Sequence, residues 1–134
     1  MKTFLDSGVL LTAWRGKEAE AALAVMEDSQ REFYTSQLVK LELLPKPTFF
    51  KQAAEIEFYQ THFRAVKAEE PLTRQLGEKA DELARQHGIA AVDALHLAAA
   101  IRQGAAEFIT AEKPGKPIFR VSGITVKSIH TQPA

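Results

Sequence analysis

The chain has 134 residues, 46% of them apolar and 25% charged, a composition that excludes a disordered or fibrous protein. Its 17 Lys and Arg offset 17 Asp and Glu, and that balance excludes a strongly basic nucleic-acid coat or a polybasic membrane anchor, though not a local basic groove. Cysteine is absent, which removes disulfides, thiolate metal sites and cysteine nucleophiles at once. The length suits one domain over residues 1–134. The apolar stretch at the N-terminus is too short and interrupted for a signal peptide or a membrane span, so the expected location is the cytoplasm.

In chain order, Thr3-Phe4-Leu5 reads as a short buried strand ending at Asp6-Ser7-Gly8. Helices are expected over residues 9–14 and 17–28, then a second strand over 32–35. Ser36 can cap the next helix, which carries Leu38, Val39, Leu41 and Leu43 and stops at Pro45 and Pro47. Residues 49–66 show apolar side chains at helical spacing, including Phe50, Phe58, Tyr59 and Phe63. Residues 71–86 form another predicted helix, with Pro71 at its start and Gly88 after its end. Residues 90–103 form a further helix that is apolar nearly all round and hence buried. A strand over 107–110 precedes a turn-rich loop at 113–117, and two β-branched stretches follow at 119–121 and 124–129. Strands alternating with helices predict an α/β fold: a three-layer α/β/α sandwich around a mostly parallel sheet. Sites in such sheets gather beyond the C-terminal strand ends.

Four acids sit where the pattern does not ask for them. Asp6 ends the first strand, where it can also cap the following helix. Glu42 falls on or beside the apolar face of its helix, and a buried carboxylate is normally paired or bound to metal. Asp93 is the lone charge in Ile89-Ala90-Ala91-Val92-Asp93-Ala94-Leu95, where the helix dipole also favours an acid. Glu112 follows the strand end at Thr110. Four oxygen donors converging at one end of a parallel sheet would make a site for Mg²⁺ or Mn²⁺. Such a cation lowers the pKa of a bound water and offsets the charge that develops during phosphodiester attack.

At these residues the chain resembles the PIN domain family, nucleases that include the VapC-type toxins of bacterial toxin–antitoxin pairs. The resemblance rests on Phe4-Leu5-Asp6-Ser7, on Thr35-Ser36 followed by Glu42, on Asp93-Ala94-Leu95-His96-Leu97-Ala98 and on Thr110-Ala111-Glu112. It spans nearly the whole chain. It departs from the family at Glu112, where Asp is commoner, and at Ala111, where Asn is frequent. The resemblance implies a metal-dependent endoribonuclease, the toxin of such a pair, with Asp6, Glu42, Asp93 and Glu112 as catalytic and metal-binding acids. It also implies an RNA substrate and an antitoxin partner. A PIN-like RNA-binding or interaction module without catalysis is the alternative.

Other residues carry weaker signals. Ser7 and Thr110 can steady the carboxylates or hold metal-bound water from behind. His96 shares a helix face with Asp93, and packing is its expected role. His62, His87 and His130 lack the mutual spacing of a zinc site. Lys113, Lys116, Arg120 and Lys127 place positive charge beyond Glu112, where it can grip phosphates or simply solvate a turn. The aromatics of residues 49–66 exceed the needs of one helix in a small core, which points either to a surface for a partner or a second copy or to simple core packing; a homodimer is the expected assembly.

Overall fold

The computed structural model describes residues 1–130. Strand β1 (Lys2–Leu5) buries Thr3, Phe4 and Leu5 in succession, so both faces of the sheet are covered at this strand. Asp6 ends it, and α1 (Ser7–Arg15) starts there because the Asp6 carboxylate accepts the Val9 N–H at 3.2 Å. The chain continues through α2 (Ala19–Met26) to β2 (Glu32–Ser36). Ser36 then caps α3 (Gln37–Leu43) through Val39 N–H at 3.1 Å. Next come α4 (Pro45–Phe49), α5 (Ala53–Ala65), β3 (Glu69–Glu70), α6 (Arg74–His87), α7 (Ala91–Arg102), β4 (Glu107–Thr110), a 3₁₀ turn (Pro117–Arg120) and β5 (Thr125–Ser128).

All pairings are parallel, in the order β3-β2-β1-β4-β5. The chain builds outward from β1 on one side and then crosses over to lay β4 against the other. That reversal leaves a crevice beyond the C-terminal ends of β1 and β4, where the strand order switches. Phe4 and Phe108, paired in register, stack with ring centres 5.6 Å apart. Helix α7 packs along α6 and against β2, and Ala94, Ala98, Ala99 and Ala100 are all fully buried in it. Their small side chains let the helix lie close to its neighbours. Helix α6 ends at Gly88, whose φ of 65° is a left-handed turn that a side chain would strain. No helix among the described residues is long and apolar enough to cross a membrane.

Several boundaries differ from the sequence expectation. Residues 119–121 are not a strand: Pro117 lacks a ladder donor and opens a 3₁₀ turn closed by Phe119 N–H on the Lys116 carbonyl at 3.1 Å. Residues 49–66 are not one helix, because Lys51 adopts φ 55° and breaks α4 from α5. Pro45 ends α3 and also occupies the first turn of α4, where its missing N–H costs nothing. The helix expected from residue 71 begins at Arg74, set by the Thr73 cap. The helix at 17–28 is trimmed to Ala19–Met26, and the two-residue β3 has no sequence periodicity to announce it. Tyr59 and Phe63 are core residues, which leaves Phe49 and Phe50 as the exposed aromatics of the stretch.

Candidate active site

The crevice at the switch point holds a cavity of about 320 Å³. Asp6, Glu42, Asp93 and Glu112 all line it, brought from the end of β1, from α3, from the first turn of α7 and from the loop after β4. Among the described residues, no Lys or Arg lines it. Gly8 closes one wall. A Cβ there would stand 3.2 Å from the Ala111 Cβ, so the bare backbone lets α1 approach the loop that carries Glu112.

The electrostatics are those of clustered carboxylates moderated by the His96 ring. Burial pushes the Asp6 carboxyl from 3.8 up to about 6, against the Thr110 hydroxyl, the His96 ring and the Val9 N–H, which favour its charged form; the Asp93 charge adds to the rise. Asp93 is also raised, first by desolvation and then by the charges of Glu112 and Glu42, against the opposing charge of His96. Glu42 is lowered instead. The principal cause is its hydrogen bond with His96, whose Nε2–H donates to Glu42 Oε1 at 2.6 Å. Ser7 Oγ–H donates to the same oxygen at 2.8 Å, which leaves Oε2 unengaged among the described residues.

His96 therefore combines two roles. It is buried in α7 beside Phe4, and it reaches across to hold an acid on α3. Its Nδ1 has no hydrogen-bond partner among the described residues. With Nε2 facing a carboxylate, the proton belongs on Nε2. Sequence reasoning assigned this residue to packing; the three-residue offset from Asp93 was the available signal, and the partner on α3 was not visible.

Glu112 is fixed from below. Its own N–H donates to Thr110 Oγ1 at 3.1 Å. Three successive carbonyls of its loop are held by three successive residues at the end of β5. Ile129 N–H meets Thr110 O at 3.0 Å, the His130 ring meets Ala111 O at 2.8 Å, and Ser128 Oγ–H meets Glu112 O at 2.6 Å. Nothing in the sequence pattern pointed to this clamp.

The four basic residues beyond Glu112 form no strip, in keeping with a solvated turn. Lys127 pairs with Glu107 at 2.8 Å, at the opposite end of the sheet from the acids. Arg120 donates to the His87 carbonyl at 3.3 Å, while Lys113 and Lys116 remain exposed in the loop. His62 lies in the core against Phe33 and Phe63, away from the acids.

A family model described as the PIN domain matches residues 3–113. The chain belongs to the PIN domain family. Solved structures share the fold at low identity. A toxin–antitoxin complex from Klebsiella pneumoniae is 19% identical, with 96% of this chain and 98% of that chain covered at a TM-score of 0.66. VapBC-1 from nontypeable Haemophilus influenzae is 15% identical, with coverages of 98% and 100% at 0.70. VapC20 from Mycobacterium tuberculosis, described as a Sarcin-Ricin loop cleaving toxin, is 17% identical, with coverages of 92% and 96% at 0.62. Comparison with curated proteins gives no match.

As a donor set, four carboxylates with flanking hydroxyls fit a hard divalent cation such as Mg²⁺ or Mn²⁺. The Glu112 and Glu42 charges, which add to the rise at Asp93, make the same point from the electrostatic side. As they stand, no three His, Cys, Asp or Glu side chains among the described residues are arranged to hold an ion. The acids share a cavity without crowding one point.

Proposed function

We propose that this PIN domain is a metal-dependent endoribonuclease and the toxin of a type II toxin–antitoxin pair. One observation carries the reading: Asp6, Glu42, Asp93 and Glu112 converge on one cavity whose wall holds no Lys or Arg among the described residues. The similarity to a toxin–antitoxin complex and to a Sarcin-Ricin loop cleaving toxin supports RNA as the substrate and an antitoxin as the protein partner. Asp6, Asp93, Glu42 and Glu112 would hold Mg²⁺ or Mn²⁺, which would supply an activated water and charge neutralisation for hydrolysis. Asp6 and Asp93 have short side chains fixed at element ends and serve as the closest donors. Glu42, held by Ser7 and His96, orients toward the same space, and Thr110 steadies both Asp6 and the Glu112 backbone. A homodimer is the proposed assembly.

The test is cleavage of single-stranded RNA by the purified chain with Mn²⁺ or Mg²⁺, against excess chelator and against Asp93→Asn. Cleavage should need the cation and should fall at least a hundredfold in the variant. Cation binding should also raise the melting temperature of the wild type and not of Asp93→Asn. A second reading, an interaction module without catalysis, draws on the lack of three groups already arranged around one ion. RNA binding without cleavage at any Mn²⁺ concentration would select it.

A further inference from the structure

A second cavity, of about 350 Å³, adjoins the acid cavity and shares Glu42 with it. Arg15, from the last turn of α1, and Lys46, from α4, line it with Phe50 and Glu55. Arg15 and Lys46 are exposed, and neither takes part in an ion pair among the described residues. The cavity's two acids are engaged instead: Glu55 accepts the Tyr59 hydroxyl at 2.7 Å, and Glu42 is held by His96 and Ser7. Phe50 is 57% exposed at the rim, as the C-cap of the helix that carries Lys46.

These features answer a problem that the acid cavity creates. A wall of four carboxylates repels a polyanionic strand, and among the described residues no Lys or Arg of that wall offsets the repulsion. A nucleic-acid strand therefore needs cations next to the cavity, within one or two nucleotides of the cut. Unpaired Arg and Lys side chains hold phosphates, and an exposed aromatic ring beside them stacks a base without reading its identity.

We infer that the Arg15–Lys46 cavity is the strand-holding subsite of this nuclease, with Arg15 and Lys46 on the phosphates that flank the cut and Phe50 stacked on the adjoining base. The inference rests on the endoribonuclease reading. The ligand class is a single-stranded RNA segment, because a duplex does not offer an unstacked base to Phe50. The strand then runs from the Asp6–Asp93 side over Glu42 toward α4.

The experiment measures the affinity of a short fluorescein-labelled single-stranded RNA at several salt concentrations, in the Asp93→Asn background so that the RNA stays intact. Arg15→Gln with Lys46→Gln should weaken binding by about tenfold or more and lower the logarithmic salt slope by about 1.4, the share of two phosphates on a single strand. Phe50→Ala should weaken binding about tenfold with the slope unchanged. In the otherwise wild-type chain, the double variant should raise KM more than it lowers kcat. Arg74→Gln with Lys79→Gln on α6 removes equal charge elsewhere and should have little effect.

The inference fails if the first pair leaves affinity and slope unchanged, or if the α6 pair weakens binding as much. It fails equally if the Arg15/Lys46 pair weakens binding of a polyglutamate peptide but not of RNA, which would make the cavity a site for an acidic protein segment. In each case, RNA cleavage by the wild type would leave the endoribonuclease reading standing. A wild type that neither binds nor cleaves RNA overturns both.

Discussion

A side chain's company decides what it does, and His96 shows how little of that company is local. Its neighbours in sequence are apolar, so packing is the natural reading, and packing is part of the truth. Its hydrogen-bond partner is 54 residues away, on another helix. The four acids were legible because each violated a local rule, at a strand end or in an apolar run. The His96–Glu42 contact violated none. His96→Phe keeps an aromatic ring, somewhat larger than imidazole, and removes both the donor and the buried, unpartnered Nδ1, so stability should change little. Cleavage should fall about 10- to 100-fold, since a group that orients a site carboxylate is lost. His96→Gln, which keeps a donor, should retain more activity than Phe. The Glu42 carboxyl, now held low mainly by His96, should move up toward 4.5 in a carboxyl NMR titration of the Phe variant. A His96→Phe protein as active as wild type would reduce His96 to packing alone.

Among the elements, the sequence revealed those with a strong period or a strong cap and missed those made by tertiary contact. Strands β1, β2 and β4 and helices α3 and α7 were readable from alternation, caps and apolar runs. Strand β3 is two residues long and exists because β2 offers it a ladder. The 3₁₀ turn at Pro117 shows a proline overriding apolar propensity. The most consequential omission was the end of β5. There, extended backbone was foreseen, but not that it pins the Glu112 loop at three carbonyls. Ser128 Oγ also accepts the His130 N–H at 3.0 Å, so Ser128→Ala should lower stability by about 1–3 kcal/mol, the net value of two hydrogen bonds. Beyond that, if the clamp positions Glu112, Mn²⁺ affinity read from the thermal shift should fall several-fold in Ser128→Ala with His130→Gln, and Ser128→Thr should restore it. Unchanged Mn²⁺ affinity alongside the same loss of stability would confine the clamp to folding.

Across the whole molecule, charge is arranged with opposite logic at the two ends of the sheet, and the buried histidine between them complicates the outcome. At the end away from the acids, Glu107 is 1% exposed, and burial alone would raise its pKa. Hydrogen bonds from Arg31, Lys127 and Thr3 outweigh that and hold it at about 2. Its contribution to stability is complete above 4.5 and is lost as pH falls toward 2. Asp6 works the other way. Raised from 3.8 to about 6, it destabilises the metal-free fold above pH 6, and that cost is relieved as pH falls toward 3.8. His62 is pushed from 6.5 down to about 4 by desolvation, so the unfolded chain takes up its proton first and stability is lost over nearly the same interval. Each of the two shifts corresponds to roughly 3 kcal/mol, with opposite signs. The metal-free wild type should therefore show nearly constant unfolding free energy between pH 6.5 and 4, followed by a steep loss below 4 as Glu107 is protonated. Variants separate the cancelling parts, and additivity is expected because Asp6 and His62 share no partner. Asp6→Asn, which keeps a cap acceptor for Val9, should gain up to about 3 kcal/mol at pH 7 while losing cleavage, and its stability should then decline as pH falls through the His62 interval. His62→Phe should instead become more stable on acidification down to about pH 4. Glu107→Gln should lose about 3 kcal/mol at pH 7, where Arg31 is left without its buried partner, and should lack the steep loss below pH 4. Urea unfolding of the four proteins in chelator, from pH 7 to 3, reads all of this. A wild type whose stability falls steadily from pH 6.5 would show that Asp6 is not raised in the metal-free fold, and the picture of a cavity of clustered, desolvated carboxylates would go with it.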